Sequence, residues 1–238
     1  MVLTSPFQKL QADLAALISS VAAGERLPSE PKLAKQLGVS RATLREAMRT
    51  FETQGLIRRR QGAGTFVVGA APVLESGLEA LESIQTMAKR MGLSVRVGNL
   101  SVETVPASEK QAQKLGVPLN TSLTRVSRVI STSERAAAYL VDILPADFLA
   151  ADDLPKQFNG SVLDFMLGRG DLPTVAKIGV NASSASSSVA KALEIQRGDV
   201  LLRLSSRIYV DSDQVIDYSL GYFLPGYFDF HILGHIQR

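Results

Sequence analysis

The sequence predicts two α+β domains, a small and mostly helical domain followed by a larger domain with an antiparallel sheet. In the first part of the chain, apolar residues recur at three- and four-residue steps, the spacing of amphipathic helices. Beyond residue 76, a helix–strand–strand pattern occurs twice, and such units build an antiparallel sheet with helices on one side. The length of 238 residues is sufficient for two separate cores.

Three helices open the first domain. Residues 6–23 are predicted to form an amphipathic helix that ends at Gly24. Ser29 is placed to cap a second helix, since serine oxygens accept hydrogen bonds from the free N–H groups of a first turn. Gly38 supplies a tight turn, and Ser40 caps the third helix. The predicted buried stripe of this third helix consists of Leu44, Ala47, Met48 and Phe51.

Two short strands follow, residues 56–60 and 65–68, joined by a glycine-rich tip at 61–64. Three helices and a hairpin in this order indicate a winged helix-turn-helix, whose third helix enters the major groove of DNA with its N-terminal end. Arg41 and Arg45 lie one turn apart near that end. Arginine suits such a position because its planar guanidinium can bind guanine bidentately and also pair with phosphate.

The charge distribution favours the same partner. Residues 1–69 contain ten Lys and Arg against five Asp and Glu, whereas the rest of the chain contains 16 against 18. A basic domain joined to a slightly acidic one is expected where one end of a protein meets phosphate.

Residues 7–68 resemble the DNA-binding domain of the GntR family of bacterial transcription regulators. The matching motifs are Leu-Pro-Ser-Glu, Gly-Val-Ser-Arg-Ala-Thr-Leu-Arg, Gly-Leu-Ile and Gly-Ala-Gly-Thr-Phe-Val. The resemblance implies base or phosphate contacts by Ser40, Arg41, Thr43 and Arg45, with Gly62 at the minor groove. One branch of the family has a DNA-contacting arginine directly after the first motif, where this chain has Pro31.

The full set of candidate DNA-binding residues combines the recognition helix, the start of the second helix and the wing. It comprises Ser29, Lys32, Ser40, Arg41, Thr43, Arg45, Arg49, Arg59, Gly62, Gly64 and Thr65. The alternative for the arginine run is an ordinary solvated hairpin on an unrelated helical domain.

A short linker is predicted over residues 69–76, so the domains span 1–68 and 77–238. In the second domain, residues 107–128 are echoed by residues 186–207, each a short helix followed by an alternating strand. Each copy continues into a tyrosine-led strand that ends in Leu-Pro, beginning at Tyr139 and at Tyr218.

Residues 76–234 resemble the UTRA ligand-sensing domain, the chorismate-lyase-like fold of the HutC-type branch of the GntR family. The pieces that match are Ala-Lys-Arg-Met-Gly-Leu from residue 88, Leu-Gly-Val from residue 115, Arg128, Leu144-Pro145 and Gly160-Ser161-Val-Leu. The resemblance implies a small effector molecule in a pocket beside the sheet, whose binding alters DNA affinity.

Candidate effector-binding residues follow from this resemblance. Arg128 matches an arginine that pairs with an anionic group of the effector, and Ser161 matches a serine at a helix start. Asp142 is predicted to lie on the same strand face as Leu140, the position at which many members have glutamate. Tyr218 and Ser219 are candidates from the second repeat. The alternatives are a surface Arg128 paired with Asp142 or Glu134, and a Tyr218 in the core.

Several kinds of site are disfavoured. The chain has no cysteine, which excludes disulfides and thiolate ligands. Its two histidines alone make no typical zinc site, so neither a metal nor another cofactor is expected. No apolar run reaches the roughly 18 residues that cross a bilayer, and the N-terminus lacks a signal-peptide pattern. We therefore expect a cytoplasmic protein without membrane contact.

The resulting hypothesis is a metabolite-responsive regulator, most simply a repressor, that binds palindromic double-stranded DNA as a homodimer. The expected effector is small and anionic. An alternative is a lyase-like enzyme with a DNA-binding head, although no nucleophile–base pair is recognisable and we expect no enzymatic activity. A constitutive architectural DNA-binding protein is a third possibility, which the large non-basic second domain disfavours.

Overall fold

The fold was analysed in a computed structural model that describes residues 5–60, 63–68, 73–132, 135–210 and 214–234. The chain divides into two compact units. The first contains the described residues up to Val73 together with Pro225–Tyr227, and the second contains Leu74–Leu224 and the described residues from Phe228 onward.

The N-terminal unit consists of three helices and a two-stranded antiparallel hairpin, as predicted. Its elements are α1 (Pro6–Ser20), α2 (Glu30–Gln36), α3 (Arg41–Thr53), β1 (Ile57–Arg60) and β2 (Gly64–Val67).

Helix α1 ends three residues earlier than the predicted range 6–23. Its C-cap, Val21, is already extended, and the Gly24 N–H donates to the carbonyl of Val67 at 2.8 Å. Gly24 itself has φ +86°, a conformation that favours glycine. The chain leaves the helix early because the segment after it hydrogen-bonds to the end of β2.

Capping of α2 and α3 differs. The Ser40 side chain accepts a hydrogen bond from the Thr43 N–H at 3.1 Å, as predicted. Ser29 occupies the N-cap position of α2, but its side chain makes no capping hydrogen bond, contrary to the prediction. The second helical residue is Pro31, which has no N–H, so one of the two usual donors to an N-cap oxygen is missing.

The core of the N-terminal unit lies between the three helices and the hairpin. The buried stripe predicted on α3 is confirmed, with Leu44, Ala47 and Met48 fully buried. They pack with apolar residues from the other elements, including Leu14, Leu33 and Ile57.

The second unit contains a six-stranded antiparallel sheet, which confirms the predicted architecture. Its sheet elements and helices, in chain order, are β3 (Leu74–Gly77), α4 (Ile84–Arg90), β4 (Val95–Pro106), α5 (Glu109–Leu115), β5 (Ser122–Thr132), β6 (Arg135–Pro145), α6 (Val162–Arg169), β7 (Val175–Ser184), α7 (Ser187–Leu193), β8 (Val200–Val210), β9 (Gln214–Phe223) and β10 (Phe228–His231).

The strand order β4-β5-β6-β9-β8-β7 reflects the internal duplication. The first copy is β4-α5-β5-β6, the second is β7-α7-β8-β9, and β6 pairs antiparallel with β9 at the centre. Each copy therefore begins with a strand that the predicted helix–strand–strand unit lacks. These two strands, β4 and β7, lie at the sheet edges and are largely half-buried or exposed, so their sequences show no strong apolar alternation.

Helices cover both faces of the sheet, so the prediction of helices on one side is wrong. Helix α5 packs on one face, where its Ala112 and Leu115 join Tyr218 in a core cluster. Helices α4 and α6 pack on the other face, where Met166 of α6 contributes to a cluster with Val126 and Ile208. Helices α4 and α6 lie outside the repeated segments from which one covered face was predicted.

A separate parallel pair, β3 with β10, places Leu74 opposite Phe228. The predicted linker 69–76 is therefore too long at its C-terminal end, since Leu74, Glu75 and Ser76 belong to β3. Residues 69–72 lie outside the described part of the chain. Pairing between positions about 150 residues apart cannot be inferred from local pattern alone.

We predict that Met48→Ala lowers the free energy of unfolding of the N-terminal unit by about 2–5 kcal/mol, because it opens a cavity at a fully buried position. Glu46→Ala, on the exposed side of the same helix, should change it by less than about 0.5 kcal/mol. Calorimetric unfolding of both variants measures the difference, and equal effects would contradict the assigned core.

Candidate functional site

The N-terminal end of α3 presents a polar surface. Arg41, Thr43 and Arg45 are exposed there, while the stripe on the opposite side of the helix is buried. Ser40 is also exposed and holds the first turn through its cap and a 2.8 Å contact with the Thr43 hydroxyl. The residues predicted to meet base edges therefore lie together at one helix end.

Arg45 is held in a defined orientation. Its Nε donates to a carboxylate oxygen of Glu30, at the start of α2, at 2.6 Å. Arg59 of β1 lies 3.9 Å from the other oxygen of Glu30 and donates to the backbone carbonyl of Arg45 at 3.3 Å. Since the Arg45 side chain remains 56% exposed, it is oriented yet accessible. This network joins α2, α3 and the β1–β2 hairpin.

Arg41 and Arg49 have different surroundings. Within the described ranges, the Arg41 guanidinium has no ion-pair partner, so its donors face solvent. Arg49 is half-buried and lies 3.5 Å from Glu46, one turn earlier on α3. Of the two, Arg41 is the better placed to reach a ligand from the helix end.

The remaining DNA-binding candidates differ in their exposure to solvent. Ser29 and Lys32 are exposed at the start of α2, and Gly64 is half-buried where β2 begins. Thr65 is buried, so its prediction as a DNA contact is not supported by its position. It shares a strand face with Val67, which packs in the core, because alternate residues of a strand point the same way. Gly62 lies outside the described residues.

The second unit contains a cavity of about 120 Å³. Strands β5, β6, β9 and β8 form its floor, and α4, residues 76–82 and the start of α6 cover it. Helices α4 and α6 are tied together by Asp164, which accepts hydrogen bonds from Ser83 at 2.6 Å and Thr86 at 3.3 Å.

Arg128 and Asp142 meet on the cavity floor. They are diagonal neighbours on β5 and β6, both more than nine-tenths buried, and the guanidinium of Arg128 donates to the carboxylate of Asp142. Both residues line the cavity. The alternative of a surface Arg128 is wrong, although its pairing with Asp142 is present; Glu134 lies outside the described residues.

A second buried carboxylate, Asp217 of β9, lies beside this pair. It is 1% exposed, and one of its oxygens accepts a hydrogen bond from the Ile143 N–H at 3.2 Å. Burial raises the pKa of Asp217 to about 7, opposed by the Ile143 hydrogen bond and the charge of Arg128. Burial also lowers the pKa of Arg128 to about 10, opposed by the charge of Asp217. The floor thus contains one cation and two carboxylates.

Ser161 reaches the cavity through a close approach of the preceding loop. Gly160 has φ +85°, and a Cβ there would lie 2.9 Å from Val97 and 3.7 Å from the Arg128 side chain. Ser161 is 1% exposed and caps α6 by accepting from the Asp164 N–H at 3.1 Å. Glycine at position 160 therefore permits the α6 N-terminus to lie against the floor.

Ser219 lines the cavity, but Tyr218 does not, which corrects that prediction. Asp217 and Ser219 point to one face of β9, and Tyr218 points to the other, where it packs against Val141 and Leu115. Burial there raises the pKa of Tyr218. The alternative of a core tyrosine is the one the structure supports.

Asp217 and Ser206 are among the polar cavity residues that the sequence did not predict. A signal for each exists in the sequence. Asp217 follows the apolar pair Val215-Ile216 and lies two residues before Ser219, so both belong to the same face of the strand. Ser206 occupies the place in the second repeat that Arg128 occupies in the first, and it lies opposite Ser219 across the β8–β9 pair.

Three buried polar atoms around the cavity have no hydrogen-bond partner among the described residues. They are Arg128 Nε, Ser206 Oγ and Gln85 Oε1. Unsatisfied buried polar groups are costly, so a site with three of them is chemically suited to a polar ligand.

Over the described ranges, no three His, Asp or Glu side chains converge as a metal site would require. None of the helices described combines the length and apolar character needed to cross a bilayer.

We predict that Asp217→Asn removes a pH dependence of stability. Between about pH 4 and pH 7 the unfolded carboxyl is ionised while the folded one holds its proton, so rising pH destabilises the wild type. The loss reaches at most about 1.4 kcal/mol per pH unit and ends above pH 7. Arg128 and Asp142, the charged neighbours, are present in both proteins.

The measurement is the melting temperature of the second unit in wild type and variant from pH 5 to pH 8. The advantage of the variant should grow up to pH 7 and then stay level. An advantage that does not change with pH would contradict the assigned proton.

Comparison with known families agrees with both units. Residues 7–67 match the gntR family of bacterial regulatory proteins, and residues 90–229 match the UTRA domain.

Among curated proteins, the chain is 27% identical over 194 residues to the HTH-type transcriptional repressor NagR of Bacillus subtilis, covering 81% of this chain and 79% of that protein. It is 37% identical over 99 residues to the histidine utilization repressor of Klebsiella aerogenes, covering 42% and 40%.

Among solved structures, PhnF of Mycobacterium smegmatis has the same fold, with a TM-score of 0.64 and 22% identity over 96% of this chain and all of that one. The winged helix-turn-helix, the duplicated sheet and the two family matches lead to one assignment. The chain belongs to the GntR family of bacterial transcription regulators, in its HutC-type branch with a C-terminal UTRA domain.

Proposed function

We propose that the protein is a repressor that binds operator DNA as a homodimer through its N-terminal unit and releases or retains it in response to a small effector. The observation on which this rests is the presence, in one chain, of an exposed arginine-bearing helix end and a separate polar cavity. The names of NagR and the histidine utilization repressor support repression.

DNA binding is proposed for the N-terminal end of α3. Arg45, oriented by Glu30, is placed for a directional contact with a base edge, whereas Arg41 has no competing ion pair among the described residues. Exposed arginines of this kind contribute both base contacts and counterion release from phosphate. Ser40 and Thr43 add hydroxyls to the same helix end.

A homodimer is proposed because a single α3 contacts only one half-site. Two copies related by a two-fold axis place two recognition helices about one DNA turn apart, which matches an inverted repeat. We assign the dimer contact to the UTRA unit, in keeping with the proposed domain division.

The effector is proposed to act by differential binding. A ligand shifts the DNA-binding equilibrium only if it binds one arrangement of the dimer more tightly than another. The cavity offers a basis for such preference, since its cover, α4, residues 76–82 and the start of α6, comes from outside the six-stranded sheet, and a ligand bound beneath it can hold it in one position on the floor. Binding without turnover is expected, so the ligand should be recovered unchanged.

We predict that Arg45→Ala weakens operator binding by about 1–3 kcal/mol, or roughly five- to 150-fold, because a base contact is lost. The operator is first obtained by selection from a random duplex library with the purified protein. Fluorescence anisotropy at fixed salt then gives the dissociation constant. Arg197→Ala, an equal change of charge at an exposed position of the second unit, should have little effect.

Equal losses for Arg45→Ala and Arg197→Ala would refute the assigned recognition helix. A salt series separates the two kinds of contact further. A variant lacking only a phosphate contact shifts the salt slope by about one, while a variant lacking a base contact relaxes sequence preference.

We also predict that light scattering gives the mass of two 25.6 kDa chains and that the selected operator is an inverted repeat bound by one such dimer. The two half-site centres should lie about 10 base pairs, or a multiple, apart. A monomer on an asymmetric site would refute the homodimer.

A further inference from the structure

We propose that the effector held by this cavity carries a protonated amine that pairs with Asp217, together with an acceptor group bound by Arg128 and Ser206. A small amino acid is the simplest compound of this class. The inference rests on the function proposed above, in which the cavity is the effector site. It replaces the expectation of an anionic effector.

The first argument is the balance of charge on the cavity floor. Arg128 is the only cation there among the described lining residues, and it already pairs with Asp142. Asp217 has no ion-pair partner within 4 Å among the described residues. The remaining acidic residue of the lining, Glu82, pairs with Arg90, 2.5 Å away. One carboxylate of the floor thus lacks its own counterion.

An anionic ligand fits this arrangement poorly. It would bring a third negative group close to Asp142 and Asp217, where Arg128, already paired with Asp142, is the only cation among the described lining residues. Uncompensated buried charge is strongly destabilising. A phosphate dianion would face this cost in full, whereas a zwitterion adds no net charge.

An ammonium group supplies the positive charge that Asp217 lacks as a partner among the described residues. Asp217 is 1% exposed and accepts a hydrogen bond from the Ile143 N–H, and burial raises its pKa to about 7. A primary ammonium offers three N–H donors, and the lining provides a second acceptor in the unpartnered Gln85 Oε1. An ammonium that pairs with Asp217 thus keeps further donors for acceptors of the lining.

The acceptor end of the ligand has two partners. Arg128 Nε is a buried donor without a partner in the described part of the chain, and the same holds for the hydroxyl of Ser206. These residues come from β5 and β8, on either side of the central β6–β9 pair that bears Asp142 and Asp217. A carboxylate or carbonyl directed at them completes the hydrogen bonding of the floor.

Cavity size limits the ligand. At about 120 Å³ the space is slightly smaller than an apolar cavity of about 150 Å³ that accommodates benzene. A compound of about five to seven non-hydrogen atoms follows from this comparison, which is the size of glycine, alanine and serine.

The test uses the full chain and matched ligand pairs. Glycine, alanine, serine, valine and leucine are compared with the corresponding 2-hydroxy acids, in which a hydroxyl replaces the ammonium; inorganic phosphate and glycerol phosphate complete the panel. Titration calorimetry gives affinities, and the melting temperature of the second unit gives an independent readout. At least one amino acid should bind about tenfold or more tightly than its hydroxy acid.

Asp217→Asn tests the assigned contact. The amide keeps an oxygen for the Ile143 N–H and removes a buried charge, so the variant should fold. It should weaken the preferred amino acid by about tenfold and bring it within about threefold of its hydroxy acid. Asp171→Asn is the control, since this aspartate pairs with Arg169 outside the cavity lining and should leave the preference intact.

The proposal is overturned if amino acids bind no more tightly than hydroxy acids or phosphates, which includes binding of none of them. It is also overturned if Asp217→Asn retains the preference. Operator binding is measured in the same samples. A compound without an amine that alters operator affinity would leave the proposed function standing and refute only this inference, while ligand binding without any operator binding would refute the function.

Discussion

The antiparallel pairing of β6 with β9 is the constraint on which the second unit depends. It joins the two repeats into one sheet and places Asp142 opposite Ser219 at the junction. The flanking strands β5 and β8 bring Arg128 and Ser206 to related positions on either side. The polar cavity thus arises where the duplicated halves meet, and its asymmetry comes from divergence of the two copies rather than from a difference in fold.

Within that frame the buried charges determine what the cavity can accept. An arginine, two carboxylates and several hydroxyls lie beneath α4 and α6 in a setting where desolvation is large. Pairing with Asp142 compensates the cation, while Asp217 depends on one backbone N–H and a more distant charge. The ionisation of Asp217 and the occupancy of the cavity are therefore linked through the same physical cost.

In the DNA-binding unit, by contrast, the functional side chains must be exposed and yet oriented. Glu30, at the start of α2, restrains Arg45 on α3, and Arg59 of β1 adds a hydrogen bond to the Arg45 carbonyl. Isolated surface ion pairs add little stability. This network is better understood as positioning a long side chain, which loses less conformational entropy on binding when its rotamer is already restricted.

Much of this followed from the sequence alone. The cap of α3, its buried stripe, the hairpin and the repeat are local or periodic patterns, and local patterns determine which side chains point inward. Three features depended on tertiary structure. They are the burial of Thr65, the placement of Tyr218 and Asp217 on opposite faces of β9, and the pairing of β3 with β10. Each involves contacts between distant segments, whose free energy is not encoded in any single stretch. The sequence by itself determined the family and the helix with the exposed arginines. Only the folded sheet decided that Arg128 is already paired with Asp142 and that Asp217 lies beside it, because burial and charge compensation exist only once the strands assemble.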